Sequence, residues 1–131
     1  PITDRYLEEW QRHGHAGRHV SGACAPTHVA NDSQIALKQF GVWYESYWSW
    51  VLKLIKSYTP DSPGIVFDYE ALQDGPAIVG SPAEAVDRIE AAKEFIGLDR
   101  MIFMFDLGGI PDENLYSTIE LFGKEVIPKI Q

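Results

Sequence analysis

The chain has 131 residues, of which 45% are hydrophobic, 23% are charged and 12% are aromatic. This length and composition are typical of one globular domain and exclude a disordered segment. The formal net charge is −8, with 11 basic residues against 19 acidic ones. A nucleic-acid partner is therefore not expected, because phosphate binding requires clustered Lys and Arg. We expect residues 1–131 to form one domain.

The distribution of apolar residues, cysteine and histidine excludes further classes. No uncharged apolar run reaches the length of about 18 residues that a membrane span needs, and the amino-terminal residues lack a secretion signal. Cys24 is the only cysteine, so an internal disulfide and a thiolate-rich metal site are both excluded. His13, His15 and His19 are separated by glycines that break any fixed helical face, so we expect them to be exposed and metal-free. These features predict a cytoplasmic protein without a membrane partner.

The first predicted element is a short amphipathic helix from Thr3 to His13, with Thr3 or Asp4 as its N-cap and Gly14 beyond its end. Its apolar residues recur on one face: Tyr6, Leu7 and Trp10. The polar link that follows leads to residues 20–29, which are small or β-compatible and predict a strand.

Three residues of this first strand carry specific expectations. Pro26 counts against a long regular ladder, because proline cannot donate a backbone hydrogen bond. Cys24 lies among small residues, and we expect it to be buried there rather than reactive. His28, near the strand's end, is a candidate catalytic acid or base close to neutral pH. A histidine without a visible partner is more often structural, and this alternative stays open.

A long helix follows Asn31-Asp32-Ser33, which supplies its cap, and ends in the turn-forming residues 59–64. Apolar residues recur on one face at alternating steps of three and four: Leu37, Phe40, Tyr44, Tyr47, Val51, Leu54 and Tyr58. Three tryptophans extend the aromatic set further than one face can bury: Trp43, Trp48 and Trp50. Some of them should therefore contact another subunit, another segment or a ligand. A loop with at most one helical turn, at residues 69–72, is expected next.

The second strand-and-helix unit has the clearest pattern. Residues 76–79 form a short apolar run, and Ser81, Pro82 and Glu84 match the N-cap, first and third positions of a capping box. The helix that they begin ends at Gly97 and points four apolar residues inward: Val86, Ile89, Ala92 and Ile96. A ligand phosphate at Gly80 and Ser81 is one hypothesis, because helix N-termini bind anions. The alternative is a plain capped helix start.

The last unit begins with Met101–Phe105, a continuous apolar run typical of a parallel strand covered on both faces. The turn at residues 106–111 leads into a helix from about Asp112 with apolar residues on one face: Leu115, Ile119, Phe122 and Val126. Asp106 follows this strand and could orient a substrate, and Gly108 and Gly109 would let backbone approach a flat ring. A plain strand-to-helix turn is the alternative.

The order is thus helix, strand, helix, strand, helix, strand, helix, which predicts a parallel α/β fold. Residues 77–89, 98–109 and 120–128, in this order and spacing, resemble the end of luciferase-like flavin-dependent monooxygenases. The long helix after Asn31 fits the preceding unit of that family more loosely. The resemblance implies a partial (β/α)8 TIM barrel, namely its last three β/α units, with the sixth, seventh and eighth strands.

The resemblance also implies an oxidoreductase that uses a reduced flavin, FMN or in some branches a deazaflavin, and O2 on a small organic substrate. The candidate cofactor contacts are the residues already named for their local features, Gly80, Ser81, Gly108 and Gly109. A complete barrel needs about 200 residues or more. We therefore expect this chain alone to be inactive, or to need a missing amino-terminal barrel segment or a second copy. Two alternatives stay open: a non-catalytic assembly module that pairs through the aromatic helix, and a ligand-binding half-barrel that dimerises.

Overall fold

A computed structural model describes residues 2–61 and 75–130. Its elements are α1 (Ile2–Arg12), β1 (Gly22–Val29), α2 (Ser33–Tyr58), β2 (Ile78–Gly80), α3 (Pro82–Ile96), β3 (Arg100–Met104), α4 (Asp112–Glu125) and a 3-10 turn (Ile127–Lys129). This is the order of helices and strands that the sequence predicts. The helical turn expected at residues 69–72 lies outside the described residues.

The three strands form one parallel sheet in the order β2-β1-β3, so β1 is central. Its amino-terminal part, Gly22 to Pro26, pairs with β3, and Thr27 to Val29 pair with β2. The ladder with β3 ends at Pro26, as expected for a residue whose nitrogen cannot donate. The two neighbours therefore bind different halves of β1.

This strand order bears on the barrel expectation. Strands that follow one another in a barrel are neighbours, so a run of sixth, seventh and eighth strands would place β2 in the centre. Here β2 has only three residues and reaches only the carboxyl-terminal end of β1. The parallel α/β class is confirmed, whereas the assignment to those barrel strands remains a prediction.

Helices cover both faces of the sheet. Ile78 and Val79 are consecutive in β2, so their side chains point to opposite faces. Val79 packs with α2 through Leu37 and Phe40, and we call this side the α2 face. On the opposite side, Ile78 packs with residues of β1, α3 and α4: Ala25, Val29, Ala85, Ile89 and Phe122. The core therefore has two layers with the strands between them.

Two side chains that were expected to be buried lie exposed on the α2 face. Cys24 is exposed, and its cross-strand partner Ile102 is 67% exposed. The expectations of a buried Cys24 and of a third strand covered on both faces are therefore wrong. The reason is that α2 packs at the carboxyl-terminal end of the sheet, against Val79 and the turn after β3, whereas this pair lies nearer the amino-terminal end.

Helix boundaries and faces need three further corrections. α1 begins at Ile2, so Thr3 and Asp4 lie within its first turn and do not cap it. In α2 the expected apolar face is buried only near its start, because 26 residues extend for about 39 Å, beyond the short strands. Two members of that face are consequently exposed: Leu54 and Tyr58. In α4, Ile119 is 44% exposed and the neighbouring Thr118 is buried in its place.

Candidate active site at the carboxyl end of the sheet

His28 is the buried polar residue at the carboxyl end of the central strand, with 3% of its surface exposed. Two aromatic rings of α2 enclose its imidazole. Phe40 lies parallel to it with ring centroids 6.2 Å apart, and Trp43 meets it edge to face with centroids 5.0 Å apart. The packing of α2 on β1 thus fixes the ring plane of His28.

Both ring nitrogens of His28 bond to protein groups. Nε2 lies 3.1 Å from Oε1 of Gln39 in α2, and Nδ1 lies 2.8 Å from Oγ1 of Thr118 in α4. The Thr118 hydroxyl also lies 3.1 Å from the carbonyl oxygen of Val29, to which it can donate. Three elements, β1, α2 and α4, therefore meet at one imidazole.

The surroundings of His28 keep it neutral near pH 7. Burial lowers its pKa below the usual 6.5, and the hydrogen bond with Gln39 opposes this only in part. A neutral imidazole carries one N–H and one acceptor nitrogen, and here protein groups engage both. This geometry favours the structural alternative for His28, because acid or base catalysis would first require one of these bonds to break.

A cleft of about 240 Å³ opens beside His28, between the start of α2 and α4. Its polar lining, besides His28 and Thr118, consists of Asn31, Asp32, Gln39, Asn114 and Ser117. Asp32 is the N-cap of α2, as the sequence predicts, and accepts a hydrogen bond from the amide of Ile35 at 2.9 Å. The cleft thus lies where the central strand ends.

Gly80 and Ser81 end β2 and begin α3, and the capping box expected there is confirmed. The Ser81 amide donates to Oε2 of Glu84 at 2.7 Å, and the hydroxyl of Ser33 donates to the same oxygen. The hydrogen bond from Ser33, followed by that from the Ser81 amide, lowers the pKa of Glu84. A carboxylate of the chain itself therefore occupies the place where a ligand anion would bind at this helix N-terminus.

The turn after β3 is open on its outer side. Oδ1 of the exposed Asp106 accepts a hydrogen bond from the amide of Gly108 at 2.7 Å. Gly108 and Gly109 have φ values of +85° and +79°, and apart from their chain neighbours no atom of the described residues lies within 4 Å of where a Cβ would stand. The backbone here can approach a flat ligand, which a side chain at either position would obstruct.

The structure thus brings only part of the predicted set together. His28 lies in the cleft, whereas Asp106, Gly108 and Gly109 are not among the described residues that line it. The two residues that hold His28, Gln39 and Thr118, were missed. One sequence feature could have indicated Thr118: it is a polar residue one turn before Phe122, on the side of α4 that packs against the sheet.

The amino-terminal histidines are only partly as expected. His13 and His15 are exposed, but His19 is half-buried, with its ring centroid 6.4 Å from that of Tyr6. Within residues 2–61 and 75–130, no three potential ligands are placed to hold a metal ion. None of the helices in these residues is long and apolar enough to cross a membrane.

No family model matches the chain, and no curated protein matches it significantly. Solved structures that share its fold include two monooxygenases. The monooxygenase RslO1 from Streptomyces bottropensis is similar over 96% of this chain and 36% of its own, with a TM-score of 0.73 and 20% identity. The oxygenating constituent of 3,6-diketocamphane monooxygenase from the CAM plasmid of Pseudomonas putida is similar over 98% of this chain and 39% of its own, with a TM-score of 0.68 and 21% identity.

The second of these proteins is a type II Baeyer-Villiger monooxygenase, and its structure contains FMN. At this level of identity the two likenesses show the fold. They agree with the resemblance to flavin-dependent monooxygenases that residues 77–128 carry. The chain therefore has the fold of a part of these monooxygenases and spans less than two fifths of their length.

Proposed function

We propose that this chain is the carboxyl-terminal part of a flavin-dependent monooxygenase, which uses reduced FMN and O2 to oxidise a small organic substrate. The observation that carries the proposal is the shared fold with two monooxygenases over 96% and 98% of the chain. The sequence resemblance of residues 77–128 points independently to the same family. A deazaflavin in place of FMN is the alternative cofactor.

The proposed ligand-binding edge is the carboxyl end of the sheet, because α/β enzymes with parallel strands bind their ligands there. The cleft beside His28 and the turn at Gly108 and Gly109 both lie where strands end. We assign the open backbone of these two glycines to contact with a flat ring, and Asp106 to orienting the substrate. Bound reduced flavin would supply the electrons that activate O2.

The described residues fit the two parts of FMN unequally. The open glycine turn suits a flat ring, but Glu84 already occupies the N-terminus of α3, where a phosphate would bind. Three residues that lie at this edge are acidic: Asp32, Glu84 and Asp106. We therefore propose that the phosphate is bound by another segment, either further native sequence or a second copy, and not by Gly80 and Ser81.

The test compares this chain with the full native reading frame that contains it. Each protein is titrated with FMN and with a deazaflavin, and flavin fluorescence reports binding. We expect the longer protein to bind one of the two flavins at least about tenfold more tightly than the 131-residue chain and, once the flavin is reduced, to consume O2. A longer protein that binds neither flavin would contradict the proposal.

A second candidate is a non-catalytic module that assembles through α2. It is favoured by large side chains that α2 leaves in solvent, such as Trp50 at 61% and Tyr58 at 79% exposure. A half-barrel that dimerises around a ligand would use the same surface. Flavin binding separates the assembly module from the other two, because only that module should bind no flavin in any form.

The proposed location is the cytoplasm. It rests on the single cysteine of these 131 residues, which cannot form a disulfide within the chain. Fractionation of cells that express the full reading frame would test it, and recovery from a secreted fraction would contradict it.

A further inference from the structure

We propose that the cleft beside His28 binds a small uncharged molecule through a carbonyl or hydroxyl oxygen, with the side-chain amide of Gln39 as its main hydrogen-bonding partner. The inference rests on the proposed function in that the cleft lies at its ligand-binding edge, and it adds the chemistry of the ligand. It concerns a site formed wholly by this chain, and it requires no flavin.

The first step is that Gln39 is held in place from behind. Its Oε1 lies 3.1 Å from Nε2 of His28. His28 is in turn held by Thr118 and has only 3% of its surface exposed. Only one end of the amide is engaged by this contact. Its two N–H donors therefore remain for a ligand in the cleft that Gln39 lines.

The second step concerns the charge of the ligand. No Lys or Arg is among the described residues that line the cleft, so an anion would lack a counter-charge. The one charged lining residue is Asp32, whose Oδ1 accepts the Ile35 amide at the N-terminus of α2. The helix dipole offsets this carboxylate and lowers its attraction for a cation. Neutral oxygen groups fit the remaining polar side chains, Asn31, Asn114 and Ser117.

The third step concerns size and shape. The volume of about 240 Å³ is below the ~300–1,000 Å³ typical of sites for drug-sized ligands, so we expect a small molecule. Apolar side chains of β1, α2 and α4 also line the cleft: Val29, Ile35 and Leu121. The ligand should therefore combine a short hydrocarbon body with one polar oxygen.

The test uses four probes that share a six-membered ring and differ in one group: cyclohexanone, cyclohexanol, cyclohexanecarboxylate and cyclohexylammonium. Each is titrated into the chain, and NMR signals of the side-chain amides of Gln39 and Asn114 are followed. We expect the ketone and the alcohol to shift these signals and to bind about tenfold more tightly than either charged probe. Equal or tighter binding of a charged probe, or shifts confined to other residues, would overturn the proposal.

Variants locate the contact. Gln39→Leu should weaken binding of the ketone about tenfold, whereas Gln34→Leu, which alters an exposed glutamine of the same helix, should leave it unchanged. If Gln39→Leu loses the native spectrum, Ser117→Ala on the exposed rim replaces it, with an expected loss of about threefold. Unchanged affinity in the folded variant would overturn the proposal. Since no flavin is present, the outcome is distinct from that of the flavin titration.

Discussion

The imidazole of His28 and the hydroxyl of Thr118 lie 2.8 Å apart, although 90 positions separate these residues in the chain. Both are buried, with 3% and 1% of their surfaces exposed. The contact joins the central strand to the last helix, and the carbonyl oxygen of Val29, 3.1 Å from the same hydroxyl, is the other acceptor within reach of its single proton. One hydroxyl therefore links α4 to β1 beside the apolar packing of Phe122 and Val126.

Thr118→Val should lower the free energy of unfolding by about 1–3 kcal/mol, because it keeps the side-chain volume and leaves buried polar groups without a partner. Urea unfolding measures the change. The control is Ser117→Ala at the exposed neighbouring position, which should stay within about 0.5 kcal/mol of the parent. Equal stability of the two variants would show that the contact with His28 contributes nothing.

Stability should fall as the pH is lowered below about 6.5, because burial lowers the pKa of His28 in the folded state. The unfolded chain then binds the proton more readily than the folded chain, so the contribution is complete above the unfolded pKa and is lost as pH falls towards the folded pKa. Urea unfolding at pH 7.5 and 5.5 tests this, and His28→Asn should reduce the difference. A parent protein that is more stable at pH 5.5 would contradict the assignment.

A second loss of stability, due to Glu84, should appear at lower pH. The hydrogen bonds from Ser33 and Ser81 lower the pKa of Glu84 below the usual 4.5, so its contribution is present above that value and is lost under more acidic conditions.

Ser81→Ala should lower stability by about 1 kcal/mol without a specific loss of flavin affinity, because Ser81 caps α3. Urea unfolding measures the first effect, and flavin titration of the full reading frame measures the second. Unchanged stability with an affinity about tenfold weaker would identify an anion site at Gly80 and Ser81 instead.

Gly80→Ala and Gly123→Ala should act in opposite directions. Gly80 has φ of +146°, and a Cβ there would lie 2.5 Å from Oε2 of Glu84, so we expect a loss of about 1–3 kcal/mol. Gly123 lies within α4 with nothing within 4 Å of a Cβ, so alanine should stabilise the chain by about 0.5–1 kcal/mol. Thermal unfolding of both variants tests this expectation. Unchanged stability of Gly80→Ala would show that the turn relaxes to accept a side chain.

The 131-residue chain should associate with itself in solution, because its described residues include exposed apolar side chains and two outer strands, β2 and β3, that each pair only with β1. Ile102 is 67% exposed on the α2 face, so Ile102→Lys should reduce the association that light scattering detects. Ala91→Lys adds the same charge at an exposed position of α3 and should leave the association unaltered. A parent chain that is monomeric and binds no dye for apolar surfaces would contradict this expectation.

The sequence predicts those parts of the fold that depend on near neighbours. The capping box of Ser81 and Glu84 and the positive φ of Gly14 and Gly97 follow from residues within one or two turns. The strand order does not, because it depends on which half of β1 each partner reaches. The hydrogen bonds of His28 could not be predicted from the sequence either, because Gln39 and Thr118 reach it only when α2 and α4 pack on β1.

The oxygen of Glu84 that receives hydrogen bonds from both Ser33 and Ser81 lies at the beginnings of two helices. Each helix N-terminus carries a partial positive charge, so α2 and α3 would repel one another where they start if nothing lay between them. The Glu84 carboxylate is a counter-charge shared by both dipoles, and at α2 it adds to that of the N-cap Asp32. The two crossover units are thereby coupled electrostatically, and a change that neutralises Glu84 should loosen the first turn of α2 as well as that of α3.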